Sequence, residues 1–211
     1  MLLDMFGKGG PFMWPLLVML FFGIAVSLER LWTLTRASIN AKQFFAEVQE
    51  SLKKRGPEGA AEVCSNTRGP VASVIHAGLL RLDWGLAHVE MALQESGAVE
   101  MAFLEKGLAW LSTVANVAPL LGFLGTVSGM IGAFETIQQM GDVDPGAVAG
   151  DISEALITTA SGLIIAIPIQ SFHNLFVSKI DKIIIDMQES STQFVEELIR
   201  LGYLKRRGEG E

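Results

Sequence analysis

The charged residues of this chain are unevenly spread, and the gaps between them predict its main elements. Residues 12–28, 107–134 and 155–178 contain no Asp, Glu, Lys or Arg. A hydrocarbon core of about 30 Å takes roughly 20 mostly apolar helical residues, so each gap predicts a transmembrane helix. The first runs from about Phe12 to Thr33. Pro11 and Pro15 stand near its start, where a missing backbone donor costs least. Trp14 and Trp32 stand near opposite ends, as interfacial belts require. The second gap is 28 residues long, roughly 42 Å of helix at 1.5 Å per residue. It exceeds the membrane core, so this helix should tilt or project beyond it.

Between the first two gaps the pattern changes. Phe44, Phe45, Val48 and Leu52 recur at three- to four-residue spacing, which predicts an amphipathic helix. Gly56-Pro57 stops it, and Pro57 can start another short helix. Arg68-Gly69-Pro70 is a second break. Val71 to Leu82 and Leu86 to Lys106 then read as helices, the latter feeding into the second span without a clear stop. Beyond the third gap, Ile180, Ile183, Ile184, Met187, Phe194 and Leu198 keep a helical period, so the tail extends the third helix. No strand-like alternation appears. The fold class expected is all-α integral membrane, with three transmembrane helices and long cytoplasmic helical extensions.

Lys and Arg set the orientation. One, Lys8, precedes the first span, nine lie between the first and second, and six lie in the tail. Residues 135–154 hold none, but carry Glu135, Asp142, Asp144, Asp151 and Glu154. The middle segment and tail are therefore expected in the cytoplasm, with the N-terminus and the short acidic loop outside. The resulting division is 1–35 for the outward N-terminus and first span, 36–106 for a cytoplasmic helical segment, and 107–138 for the second span. A short periplasmic loop at 139–150, the third span at 151–178 and a cytoplasmic helix and tail at 179–211 complete it. Ala25-x-Ser27 resembles a signal-peptidase site. The leading segment lacks a basic region, however, and Glu29-Arg30 and Arg36 follow directly, so the first span is expected to be an anchor.

Composition narrows the function. Half of the 211 residues are apolar, 18% are charged, and the mean hydropathy is +0.39. A formal charge of −7 argues against a nucleic-acid partner, which would need a basic face. The single Cys64 rules out an internal disulfide and a cysteine-based zinc site. His76 and His88 lack metal-ligand spacing. No catalytic residue, metal or cofactor is expected.

The candidate chemistry lies in the last two spans. On the second, Ala118, Gly122, Gly125, Thr126 and Gly129 fall within a stripe of about 100° at 100° per residue. On the third, Ala155, Thr159, Gly162 and Ala166 form another such stripe, with Thr158 and Ser161 beside it. Small residues let backbones approach closely, and helix packing inside one chain explains both stripes as well as an ion path does. The hydroxyls can also bond to their own helix. Asp151 and Glu154 lie near the start of the third helix, where acids are favoured in any case. Pro168 should kink it. No carboxylate, lysine or histidine stands near the middle of a span, and His173 lies toward the cytoplasmic end. Hydroxyls do not change protonation near neutral pH, so any titrating mid-membrane group must come from another subunit.

The stretch from Ala118-Pro119-Leu-Leu-Gly122-Phe-Leu-Gly125-Thr126 to Gly129 resembles the second-helix motif of the MotA/TolQ/ExbB family. Ile152-Ser153-Glu154-Ala155-Leu156-Ile157-Thr158-Thr159 through Gly162, Ala166 and Pro168 is similar to the third-helix motif. The three-span plan and Glu29-Arg30 also match, so nearly the whole chain is covered. This resemblance implies an energy-transducing subunit, a homo-pentamer around single-span partners of the ExbD/TolR/MotB type, each bearing a membrane Asp. Proton flow there drives work through a TonB- or TolA-like protein. It implies pore-facing roles for Thr126 and Thr159, and an outer-mouth role for Glu154. The compact loop at 140–145 and the phrase Ile-Ser-Glu-Ala-Leu-Ile-Thr-Thr are similar to the ExbB branch, and the MotA branch carries an extra span that is absent here. A TolQ-like or gliding-motor subunit, a non-conducting scaffold and a self-contained channel are the alternatives. The expected ion is H+. Thr158 and Ser161 keep Na+ as the other candidate.

Overall fold

The computed structural model describes residue 7 and residues 9–38, 40–140 and 145–205. Lys8, Asp142, Asp144, Arg206 and Arg207, used above for orientation, lie outside the described residues, as does most of the loop at 140–145. Helices run over Met13–Ala37 (α1), Ala41–Asn66 (α2), Pro70–Leu79 (α3), Leu86–Glu105 (α4), Leu108–Met140 (α5) and Pro145–Arg200 (α6), with a 3-10 turn at Leu82–Trp84. The described residues contain no strand. Three helical stretches are long and apolar enough to cross a membrane, and the protein is an all-α membrane protein with extended helices.

The chain divides into two compact units, residues 1–30 with 107–175, and residues 31–106 with 176–211. In the first, α1 meets α5 and α6 at Gly23. A Cβ there would lie 3.3 Å from Val114 Cγ1 and would overlap Ile169 Cδ1. Leu16, Leu111, Val114, Ala118, Ala155 and Ile169 fill the interior, while Phe21, Leu120, Phe123 and Ile167 point outward. Large apolar side chains on that outer surface are stable because lipid tails are as apolar as they are. Edge-on packing of Phe22 and Trp110, with ring centroids 5.8 Å apart, joins α1 to the start of α5.

The second unit is packed by ordinary hydrophobic burial. Phe44, Phe45, Val48 and Leu52 of α2 are buried, as the spacing predicts, together with Val71, Val74 and Ile75 of α3. From α6 come Phe176, Ile180, Ile183, Met187, Phe194 and Leu198. Gly78 of α3 lets Leu93 and Phe194 close over its backbone, at 2.9 and 3.1 Å from where a Cβ would sit. One charge is buried here. Glu197 is held between Arg200 at 2.6 Å and Lys53 of α2 at 3.5 Å, which offsets the cost of removing a carboxylate from water.

Three local features differ from or refine the expected elements. The break at Gly56 is real, with φ 72° and ψ −167°, and the helix resumes at Pro57. Helix α4 does not run into α5. It ends at Glu105, and Lys106 turns to ψ 127° before Gly107 at φ +90°. Glycine is needed there because the left-handed region strains L residues. The missing Cβ would also lie only 3.3 Å from Nε of Arg30, whose guanidinium is buried and paired with Glu29. Helix α6 starts at Pro145, ahead of Asp151, and stays helical through Pro168. The ring removes only the one backbone donor that would reach the carbonyl of Ile164.

Burial pushes the Cys64 thiol of α2 up to about 12, from an ordinary value of 9.0. At pH 9 such a thiol is ionised in roughly one molecule per thousand, against about half for an exposed one. Iodoacetamide at pH 9 should therefore label the folded protein at least about a hundredfold more slowly than the denatured one. Equal rates would show that Cys64 meets solvent.

Candidate functional site

The two small-residue stripes face each other inside one chain. A Cβ on Gly162 of α6 would lie 2.6 Å from the Ala118 carbonyl oxygen and 3.3 Å from Cα of Gly122. One turn along α5, a Cβ on Gly122 would lie 3.0 Å from Cα of Thr159. Next, one on Gly125 would meet the Thr158 side chain at 2.5 Å, and one on Gly129 would meet Ala155 at 2.7 Å. Ala166 is buried on the same helix. The backbones touch, and Ala118, Gly122, Gly125, Gly129, Ala155 and Gly162 lie at this contact.

The hydroxyls at this contact have distinct partners. Thr159 Oγ1 donates across the gap to the Gly122 carbonyl at 2.8 Å, and the residue is half-buried. Thr126, also half-buried, donates to the Phe123 carbonyl of its own helix at 2.6 Å. Thr158 is 1% exposed, and its hydroxyl lies 2.9 Å from the Glu154 carbonyl and 2.8 Å from that of Gly9. Ser161 is buried and donates to Ile157 at 2.8 Å. The structure thus puts Thr126 and Thr159 at the edge of the α5–α6 contact and Thr158 inside it, while Ser161 is buried elsewhere on α6.

At the Glu154 end three further residues enter the site, Thr136, Gly9 and Gly10. Thr136 Oγ1 lies 3.4 Å from Asp151 Oδ2 and 2.9 Å from the Gly132 carbonyl. Glu154 is half-buried, its carboxyl against Gly10 of the segment that precedes α1. Neither Thr136 nor the Gly9–Gly10 pair stands out in the pattern that marks the stripes. For the glycines, their position just before Pro11 and the first span was the available signal, since such pairs mark turns. Toward the other end of the apolar stretch, His173 Nδ1 lies 3.4 Å from Asn174 Oδ1. Between them, positions 155–178 of α6 hold no charged side chain.

A model of the MotA/TolQ/ExbB proton channel family matches residues 66–189, more than half of the chain and all of this contact. The chain belongs to that family. An ExbB-homologue biopolymer transport protein of Methanothermobacter thermautotrophicus is 33% identical over 181 residues, 85% of this chain and 64% of that protein. An ExbB-like biopolymer transport protein of Synechocystis is 32% identical over 170 residues, 79% of this chain and 66% of that protein. The biopolymer transport protein ExbB of Xanthomonas campestris is 42% identical over 97 residues, 46% of this chain and 38% of that protein. Within the family the resemblance therefore runs to ExbB. This chain spans just under two thirds of the length of the first two relatives. With its three apolar helical stretches, this family member is a multi-pass inner-membrane protein.

The packing makes a direct prediction. Gly162→Ala forces a methyl group onto a backbone carbonyl, which cannot rotate away, and should cost about 1–3 kcal/mol of stability. Gly97→Ala, at an α4 position with nothing within 4 Å, should instead stabilise by about 0.5–1 kcal/mol. Thermal unfolding of the two purified proteins in one detergent separates them, and equal shifts would contradict the contact.

Proposed function

We propose that this chain is the pore-wall subunit of a proton-driven motor, coupled through an ExbD-type partner to a TonB-like protein that energises outer-membrane transport. Its N-terminus faces outward and its C-terminus the cytoplasm, as the distribution of Lys and Arg requires. The copies assemble as a homo-pentamer around the partner's spans. Thr126 and Thr159 line the path and Glu154 stands at its outer mouth, while Thr158 and Ser161 hold the wall together from behind.

The observation that carries this reading is the Thr159 hydroxyl. A hydroxyl offers one donor and two acceptor lone pairs. Thr159 commits its proton to the Gly122 carbonyl at 2.8 Å, so its lone pairs are left to accept from a water or a protonated carboxyl in the path. A wall of such acceptors, with no fixed charge, orients a mobile proton donor without trapping it. It cannot itself store a proton, so the partner's membrane Asp is the titrating group. Each proton falling through 100 mV releases roughly 2.3 kcal/mol, enough to drive a conformational cycle. Protons are favoured over Na+, since Thr158 and Ser161, the hydroxyls that would add Na+ ligands, are buried within the chain.

One observation favours a second reading, a scaffold that holds partner helices without conducting. The protons of both threonines already have acceptors in the chain. Thr159→Val distinguishes the two, because it keeps the shape and removes the lone pairs. In the complex with its aspartate-bearing partner, reconstituted in vesicles, this variant should assemble normally and lose proton flux at least about tenfold. Undiminished flux would refute the role of Thr159. No flux from the unmodified complex would leave the scaffold reading standing.

A further inference from the structure

The segment before α1 is tied to the first turns of α6 by two contacts. The Gly9 carbonyl accepts from Thr158 Oγ1 at 2.8 Å, and Gly9 is buried. The next residue, Gly10, has φ +65°, and a Cβ there would overlap the Glu154 carboxyl, its Cδ at 2.8 Å. Glu154 and Thr158 are four apart on α6 and so share a face. Gly10 also opens the turn that leads into α1, since its carbonyl accepts from Met13 N–H at 3.2 Å. The carboxyl therefore leans on a backbone surface that only glycine can provide, and that surface is anchored on both sides, by Thr158 and by the first turn of α1.

We infer that the Gly9–Gly10 turn is a positioning element for Glu154, holding its carboxyl in place for ion entry at that end of the path. The inference rests on the channel function proposed above. It assigns a role to a part of the chain outside the matched residues 66–189. Nothing reacts at Gly10. It acts through Glu154, by shape. A side chain at position 10 displaces the carboxyl and strains a left-handed residue, and only the first of these effects depends on the length of the residue at 154.

That difference supplies the test, a double-mutant cycle of Gly10→Ala and Glu154→Asp in the full complex with its single-span, aspartate-bearing partner. Proton uptake by vesicles and thermal stability of the complex are both read. With Glu154 in place, Gly10→Ala should lower flux by roughly tenfold because its methyl displaces the carboxyl, while the left-handed strain weighs on stability in both backgrounds alike. In the Glu154→Asp background, where the shorter side chain leaves room for the new methyl, the same change should cost less than about threefold. Coupling in stability, with Glu154→Asp restoring a complex that Gly10→Ala weakens, likewise supports the contact. Equal losses in both backgrounds, or a complex absent from both, overturn the inference, because the defect then does not pass through Glu154. If the unmodified complex conducts while the cycle is additive, only this inference falls. If the unmodified complex does not conduct, the channel reading falls and the positioning role falls with it.

Discussion

The contact of Gly162 with the Ala118 carbonyl is the constraint on which the membrane-embedded part depends. Lipid tails are as apolar as leucine, so helices in a bilayer are not driven together by burial of apolar side chains. They associate where backbones can touch, through many short dispersion contacts and an occasional hydrogen bond. Along α5 and α6 that condition holds at successive turns, from Gly162 through Gly122 and Gly125 to Gly129. The Thr159–Gly122 hydrogen bond crosses the same seam. Because glycines and alanines occupy the seam, the hydroxyls of Thr126 and Thr159 stand at its edge.

The other unit follows a different rule. Its interior is made of large side chains, Phe44, Phe176, Phe194 and Leu198 among them, and water supplies the driving force. Its buried carboxylate, Glu197, has cationic partners, as a charge withdrawn from water requires. One chain thus contains two kinds of packing, each suited to its solvent. Helix α6 takes part in both, with Gly162 and Ala166 near one end and Phe176 to Leu198 toward the other.

Most of this architecture was legible in the sequence, for identifiable reasons. Charge-free stretches report a bilayer directly, because ionised groups are excluded from it. The period of Phe44, Phe45, Val48 and Leu52 reports one buried helix face, and Gly56-Pro57 reports a break that backbone chemistry enforces. The stop at Gly107 was obscured because a lone glycine is tolerated inside a helical pattern and no proline follows it until Pro119. What decides it is a long-range event, the approach of Arg30 to a backbone without a Cβ. Within the site, the stripes could be drawn from spacing, but their partner could not. Thr158 and Thr159 are adjacent and about 100° apart, and periodicity alone does not say which one turns inward. Gly9 and Gly10 were invisible as site residues, since their neighbours Thr158 and Glu154 lie more than 140 positions away and no local pattern encodes that pairing.

The doubly shared hydroxyl of Thr158 has a consequence for how the N-terminal segment is held. One proton faces two carbonyl oxygens at nearly equal distances, 2.8 and 2.9 Å. The bond to Glu154 lies within α6 and exists whether or not the segment is present. Detachment would therefore leave the threonine with a complete hydrogen bond, and the only group to lose a partner would be the Gly9 carbonyl, which water can rehydrate. No donor on the helix side depends on the attachment. The hydroxyl thus joins the segment to a helix pair whose own hydrogen bonding is complete without it.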